Sequence, residues 1–339
     1  MIGEMLNPFA ADAYSMVSLT LSMNKMPNLY GRINDLGLMP EDGVTTRIVA
    51  IEERENVLTL LPTKPVGSPG STGTIGKRKV RTFIIPHIPH DDVVLPAEVQ
   101  NVRAFGTTNQ ETALADLMAR KLQTMRNKHA ITLENLRAGA LRGQILDSDG
   151  ATVIYNLFTE FGITEQVEDF ALDVETTEVV THCLNVKRFI ERHLFGEVMD
   201  HVHCLCSPSF FDALTTHPNV KLAYQFYQQQ QNLSGDFRKG FKFGDIIFEE
   251  YIGQAVDESG NVRLFIPDGD ARFFPVGTMT GFRTFFAPAD FIETVNTPGL
   301  PVYAKQELRD FARGWDIHTQ SNPLPICTRP EILVRGTVS

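Results

Sequence analysis

Residues Leu61 to Asp92 read LPTKPVGSPGSTGTIGKRKVRTFIIPHIPHDD. Prolines stand at Pro62, Pro65, Pro69, Pro86 and Pro89, and glycines at Gly67, Gly70, Gly73 and Gly76. Proline lacks the N–H a helix needs and glycine loses much entropy when ordered, so this density excludes a helix and argues against a packed core. Strand-like runs frame the stretch, Thr45 to Leu60 before it and Val80 to Ile85 after it, with a turn near Glu55–Asn56. A structureless segment of about thirty residues is unusual inside a compact domain. The pattern describes a long two-stranded arm leaving the body, with Lys77, Arg78, Lys79 and Arg81 as a basic cluster. Such an arm finds its partners elsewhere, which points to assembly before catalysis.

Outward from the arm, the strongest helical signal runs from Thr108 to Arg142. Thr108 and Glu111 fit a capping box. Leu114, Met118, Leu122, Met125, His129, Leu133, Leu136 and Ala140 then mark one face at spacings of three and four, and Gly143 is a fitting stop. At 1.5 Å per residue this spine would be about 50 Å long. A weak helix is expected over Ala11 to Met26, a hairpin over Gln144 to Ile163 around Asp147-Ser148-Asp149-Gly150, and a helix over Thr177 to Phe195. A buried strand follows at His201 to Cys206, then helices entered at Pro208 and Pro218. Short strands and turns fill Lys242 to Pro288, and a proline-broken lead-in from Pro323 precedes a strand at Ile332–Val334.

At 339 residues the chain exceeds the size of one ordinary core, and its 42% hydrophobic content suits a globular protein. No apolar run is long enough for a membrane helix, and MIGEMLNPF lacks the pattern of a secretory signal. The net charge is 31 − 41 = −10, which argues against holding nucleic acid through its phosphates. Cys183, Cys204, Cys206 and Cys327 are too few and too irregular for a disulfide framework.

Chemical motifs are weak. Gly76-Lys77 approaches a phosphate-binding loop, but Ser71 and Arg78 stand where glycine and a hydroxyl are required. His201, His203, Cys204 and Cys206 are zinc-type donors, yet strand alternation sends His201, His203 and Leu205 to one face and Val202, Cys204 and Cys206 to the other. The thiols then read as core. His87, His90, Asp91 and Asp92, broken by Pro86 and Pro89, read as a charged hinge at the base of the arm. Glu249–Glu250 and Asp268/Asp270 read as solvated surface. No catalytic, cofactor or metal residue is assigned.

Taken in order, KVRTFIIPHIP, ALRGQILDSDGATVIYNLFTEFGI, CSPSFFDALTTHPNV, GDIIFEEYIG, IPDGDARFFPVGT, FFAPADFIETVNTPGLPVYAK and SNPLPICTRPEILV resemble the lambda-like major capsid proteins of tailed bacteriophages, the phage major capsid protein E family. The resemblance implies an α+β fold with an N-terminal arm (1–43), an extended loop (44–92), a peripheral domain with the spine helix (93–175), an axial domain (176–300) and a returning C-terminal segment (301–339). It implies hexamers and pentamers of the chain itself, a shell around double-stranded DNA held without sequence-specific contact, and a decoration protein, scaffold and portal as partners, with no membrane and no cofactor. The virion, assembled in the bacterial cytoplasm, is the implied location. Lys64, Lys77, Arg78, Lys79 and Arg81 become assembly contacts of the extended loop. Some capsids of this fold join a loop lysine to an asparagine of another subunit; Lys64, Lys77 and Lys79 are the available donors, and no crosslink is expected. Two alternatives stay open at this point: a cellular nanocompartment shell of the same fold, and a metal-dependent cytosolic hydrolase using His201 to Cys206.

Overall fold

The spaced apolar stripe folds as one helix. A computed structural model describes residues 15–26, 31–54, 78–100, 110–221, 223, 225 and 238–338. In chain order the first elements are helix α1 (Met16–Lys25), the one-turn α2 (Arg32–Asp35), strands β1 (Glu41–Gly43), β2 (Ile48–Arg54), β3 (Arg78–Ile84) and β4 (Ile88–Val94), short α3 (Pro96–Gln100) and the spine α4 (Gln110–Arg142). Next come β5 (Gln144–Leu146), β6 (Val153–Asn156), α5 (Leu157–Phe161), β7 (Gln166–Asp169), α6 (Val179–His193), β8 (His201–Cys206) and α7 (Pro208–Thr216). Strands then dominate: β9 (Lys239–Phe243), β10 (Ile246–Glu250), β11 (Gln254–Val256), β12 (Val262–Leu264), β13 (Ala271–Val276) and β14 (Phe282–Phe286). The last are β15 (Tyr303–Leu308), β16 (Trp315–Ser321), β17 (Pro323–Cys327) and β18 (Val334–Thr337). A further helical stretch begins at 218, as its proline suggests.

Met118, Leu122, Met125, His129, Leu133, Leu136 and Ala140 are all buried along α4, so the stripe read from spacing is its inner face. The capping box at Thr108 and the side chain of Leu114 lie outside the described residues.

The contacts divide the chain into two compact units. The first joins residues 1–49, 84–134 and 284–325. Its antiparallel sheet has the order β15-β16-β4, with Trp315 opposite Val94 and Ser321 opposite Ile88. Leu19 and Met23 of α1 pack into one cluster with Met118, Leu122 and Met125 of α4 and with Val94, Val302, Ala304 and Ile317. Ser15 caps α1 by accepting from the Ser18 amide, and Asn24 donates to the Val302 carbonyl at 2.8 Å. Hydrophobic periodicity therefore fixes the helices, and side-chain amides and hydroxyls fix their register on the sheet.

The expected hinge at His87–Asp92 is instead strand β4. It lies at the edge of its sheet, where Pro89 can turn its missing donor away from the one paired neighbour. The same reasoning corrects the C-terminal segment. Pro323 and Pro325 belong to a fully buried strand, β17, at the edge of the sheet β1-β14-β17. Alternate prolines leave one side of a strand without donors, which an edge tolerates. Pro330–Ile332 form a 3-10 turn, so the last strand begins only at Val334.

The second unit joins 50–83, 135–283 and 326–339. Its six-stranded sheet has the order β7-β18-β13-β8-β10-β9, with β8 parallel to β10 and antiparallel to β13. Phe170 stacks on Phe273 at 5.4 Å, and Phe210 and Phe248 meet this pair edge-on. Ser207 and Pro208 start α7 with a hydroxyl cap and a proline in the first turn. The hairpin expected over 144–163 is half right: β5 and β6 pair around Asp147–Thr152, and Asn156 then caps α5.

Candidate assembly surface

Strand β3 is the described root of the arm, and it pairs with β2. Lys64 and Lys77 lie outside the described residues, and Arg78 is described only as backbone of β3. Lys79 is exposed. Arg81 is held by its own unit: Nε donates to the Glu160 carbonyl at 2.8 Å, Nη2 to the Phe161 carbonyl at 3.2 Å, and the guanidinium lies 4.4 Å from the centre of the Phe161 ring. Those carbonyls end α5, where a helix has unused acceptors and a negative partial charge. Phe83, fully buried, meets Tyr155 edge-on at 5.2 Å and stacks on Phe161 at 6.3 Å. The opposite face of β3 carries Val80 and Ile84, both more than half exposed at 57% and 65%. One face of the root is latched to its own unit and the other offers apolar surface. The basic cluster was legible in the sequence; the separate duty of Arg81 was not, because its acceptors are main-chain atoms some eighty residues away.

Two carboxylates expected on solvated surface are buried. Asp270 accepts from Arg272 Nη2 at 2.7 Å and from Arg335 Nη2 at 2.9 Å, while Arg272 Nη1 also donates to Glu165 at 2.8 Å. Arg142 joins this cluster, and burial together with Arg272 lowers it to about 10, still a cation at neutral pH. Glu249 is buried against His203, 3.2 Å from Nε2. The strand-face argument holds for the thiols: Val202, Cys204 and Cys206 are fully buried, with the two sulfurs 3.4 Å apart. Burial raises Cys204 well above the ordinary thiol range. His203 is thus committed to a carboxylate on the neighbouring strand. Among the described residues no three His, Cys, Asp or Glu side chains are placed to hold a metal ion.

His129 of α4 is a further buried ionisable group. Thr319 donates its hydroxyl proton to the His90 carbonyl, so it accepts from His129 Nε2–H at 2.9 Å, which sets the tautomer of the neutral ring. Burial, with His90, Arg126, His318 and Lys128 nearby, lowers its pKa to about 3. Above pH 6.5 neither the folded nor the unfolded chain protonates this ring. As pH falls below 6.5 only the unfolded chain takes up the proton, so this contribution to stability is lost progressively toward pH 3. The loss between pH 7 and pH 5 should be about 2 kcal/mol from this group. Urea midpoints of wild type and His129→Gln at the two pH values measure it, and equal pH slopes would refute it.

A model of phage major capsid protein E matches residues 15–338. The chain belongs to that family. It is 31% identical to the major capsid protein of Pseudomonas phage KPP10, over 97% of this chain and 98% of the relative. The major capsid protein of Salmonella phage Felix O1 is 27% identical, with the same coverage of each chain. Among solved structures, the putative capsid protein of an Escherichia coli CFT073 prophage aligns with a TM-score of 0.62 at 13% identity, covering 96% of this chain and 99% of that one. A subunit of the bacteriophage PhiM1 mature capsid aligns with a TM-score of 0.53 at 12% identity, covering 92% and 87%. The α+β fold is therefore that of phage capsid proteins, and family members over the full length favour a phage shell over a nanocompartment or a hydrolase.

Proposed function

We propose that the chain closes as hexamers and pentamers into the head of a tailed phage and encloses double-stranded DNA. The observation that carries this reading is the two-sided root of the arm. Arg81 and Phe83 tie one face of β3 to its own unit, while Val80 and Ile84 lie exposed on the opposite face. Lys64, Lys77, Arg78 and Lys79 serve as contacts to acidic surface on neighbouring copies, and Arg81 serves the root instead. On this reading 44–92 is the extended loop, 93–175 and 176–300 the peripheral and axial domains, and 1–43 and 301–339 the flanking segments. A charge of −10 suits a wall that confines DNA without gripping it. A decoration protein, scaffold and portal complete the set of partners, and the role is structural, not catalytic.

The test is electron microscopy of the protein made alone and of a variant lacking residues 60–75. Wild type should yield closed particles. The deletion keeps the anchored strands, so it should melt within a few degrees of wild type yet close no shells. Normal particles from the deletion would show that the arm is dispensable.

A further inference from the structure

Arg142 carries a charge that the chain itself leaves unanswered. It is the last residue of α4, and it lies largely buried beside Arg272 of β13, whose Nη1 is 3.5 Å from the Arg142 carbonyl oxygen. The two carboxylates of this cluster are already engaged, Asp270 by Arg272 and Arg335 and Glu165 by Arg272. The guanidinium of Arg142 makes no hydrogen bond or ion pair with any described residue. Arg142, Arg272 and Arg335 against Asp270 and Glu165 give a charge of 3 − 2 = +1. The excess sits where water is scarce, since Arg272 is 7% exposed and Asp270 4%. Arg272 and Arg335 also stand directly opposite each other on β13 and β18, a like-charge pairing that is unfavourable in a sheet. The carboxyl end of α4 favours a cation, but a helix terminus supplies only a fraction of a charge. A buried cation without an opposite charge is among the costliest arrangements in a protein.

Two buried donors indicate what offsets it. The Nε atoms of Arg142 and Arg272 are both closed to solvent, and neither has an acceptor among the described residues. Buried polar groups are nearly always hydrogen-bonded, and an unpaired one calls for a water or an ion. Water would satisfy the donors and leave the charge, whereas an anion answers both. Arginine also keeps its proton at neutral pH, so the charge cannot be shed. We propose that a small monovalent inorganic anion of the chloride class binds between the guanidinium groups of Arg142 and Arg272 and ties the end of the spine helix to the six-stranded sheet. One negative charge matches an excess of one. A dianion such as phosphate would overshoot it and set its second charge against Asp270 and Glu165, and those acids equally disfavour a polyanion such as DNA. Because both donors are closed to solvent, the partner is an ion taken up on folding and not a macromolecule docking from outside. The site lies within one unit of one subunit, so it stands or falls independently of shell closure.

Urea unfolding of the unassembled subunit tests this, with sodium chloride replacing sodium gluconate at constant ionic strength. Raising chloride from about 10 mM to about 500 mM should increase the folded-to-unfolded ratio roughly tenfold, the linkage expected for a dissociation constant of about 50 mM. Arg142→Met removes the excess charge and one donor, so its stability should not respond to chloride. Arg188→Met removes an exposed cation on α6 and should keep the full response. Broadening of the chloride NMR line reads the site directly: wild type and Arg188→Met should broaden it alike, and Arg142→Met clearly less. Equal stability of wild type in chloride and gluconate would overturn the proposal, since water alone would then serve the donors. A response that survives in Arg142→Met would place the bound ion elsewhere and overturn it as well. Should Arg142→Met fail to fold, Arg142→Lys keeps the charge and loses the Nε donor, and it must weaken the response; an unchanged response there would refute the site.

Discussion

Gly299→Ala should abolish the soluble subunit. The Gly299 amide donates to the Val44 carbonyl at 2.9 Å, and the Val44 amide donates to the Phe286 carbonyl at 2.8 Å. Three stretches of main chain therefore meet without side chains between them. A Cβ at 299 would lie 2.0 Å from the Phe286 oxygen and 2.7 Å from the Ala287 carbonyl carbon. Both residues are buried at the end of β14, and neither obstacle is a side chain that can swing away. Gly43 on β1 is confined in turn, its Cβ position 2.4 Å from the Gly299 oxygen. Relief requires the backbone to move by about an ångström through a filled interior, a cost of roughly 4 kcal/mol or more, above ordinary overpacking. Gly162→Ala is the control. Its φ is 69°, but nothing lies within 4 Å, so only the torsional cost of about 1 kcal/mol applies. Soluble yield and urea unfolding separate the two, and a Gly299→Ala subunit as stable as Gly162→Ala would disprove the crossing.

Asp270→Ala should be nearly as damaging. Its carboxylate is the common acceptor for Arg272 and Arg335, and Arg142 stands close enough to be perturbed by both signs. Removing it strands cations in a region almost closed to water, and breaking one partner of a buried pair costs roughly 3–5 kcal/mol. Arg335 is 37% exposed at its side chain, so Arg335→Met should cost less than about 1 kcal/mol, since water screens the charge there. Chemical denaturation of the three proteins gives the comparison. Equal losses from both substitutions would mean that Asp270 is better hydrated than its surroundings indicate.

The legible parts of this fold were those written in local period. Met118 to Ala140 repeat at three and four residues, and that rhythm alone identifies a helix and its buried side. His201 to Cys206 alternate on a strand, which was enough to remove the thiols from chemical consideration. Partners distant in the chain were not legible. The charges and prolines of His87–Asp92 suggested a hinge because β16, the strand that pairs with them, lies more than 220 residues downstream. Asp270 follows a turn glycine and looked solvated; only the return of Arg335 beside β13 explains its burial. Glu249 and His203 are 46 residues apart, and the parallel pairing of β10 with β8 brings them together. Of the candidate assembly surface, the sequence showed the positive charge of the arm but not that Arg81 is spent on holding it.

The Arg81 latch bears on how such a protein can change over generations. Its acceptors are the main-chain oxygens at positions 160 and 161, which every residue type supplies. The root therefore asks for an arginine at 81 and an aromatic platform at 161, and makes no demand on the side chain of Glu160. The hydrogen bonds of this grip involve only positions 81, 160 and 161, so drift at other positions of the arm leaves its point of departure in place. Lineages that trade one arm sequence for another would keep their subunits foldable throughout.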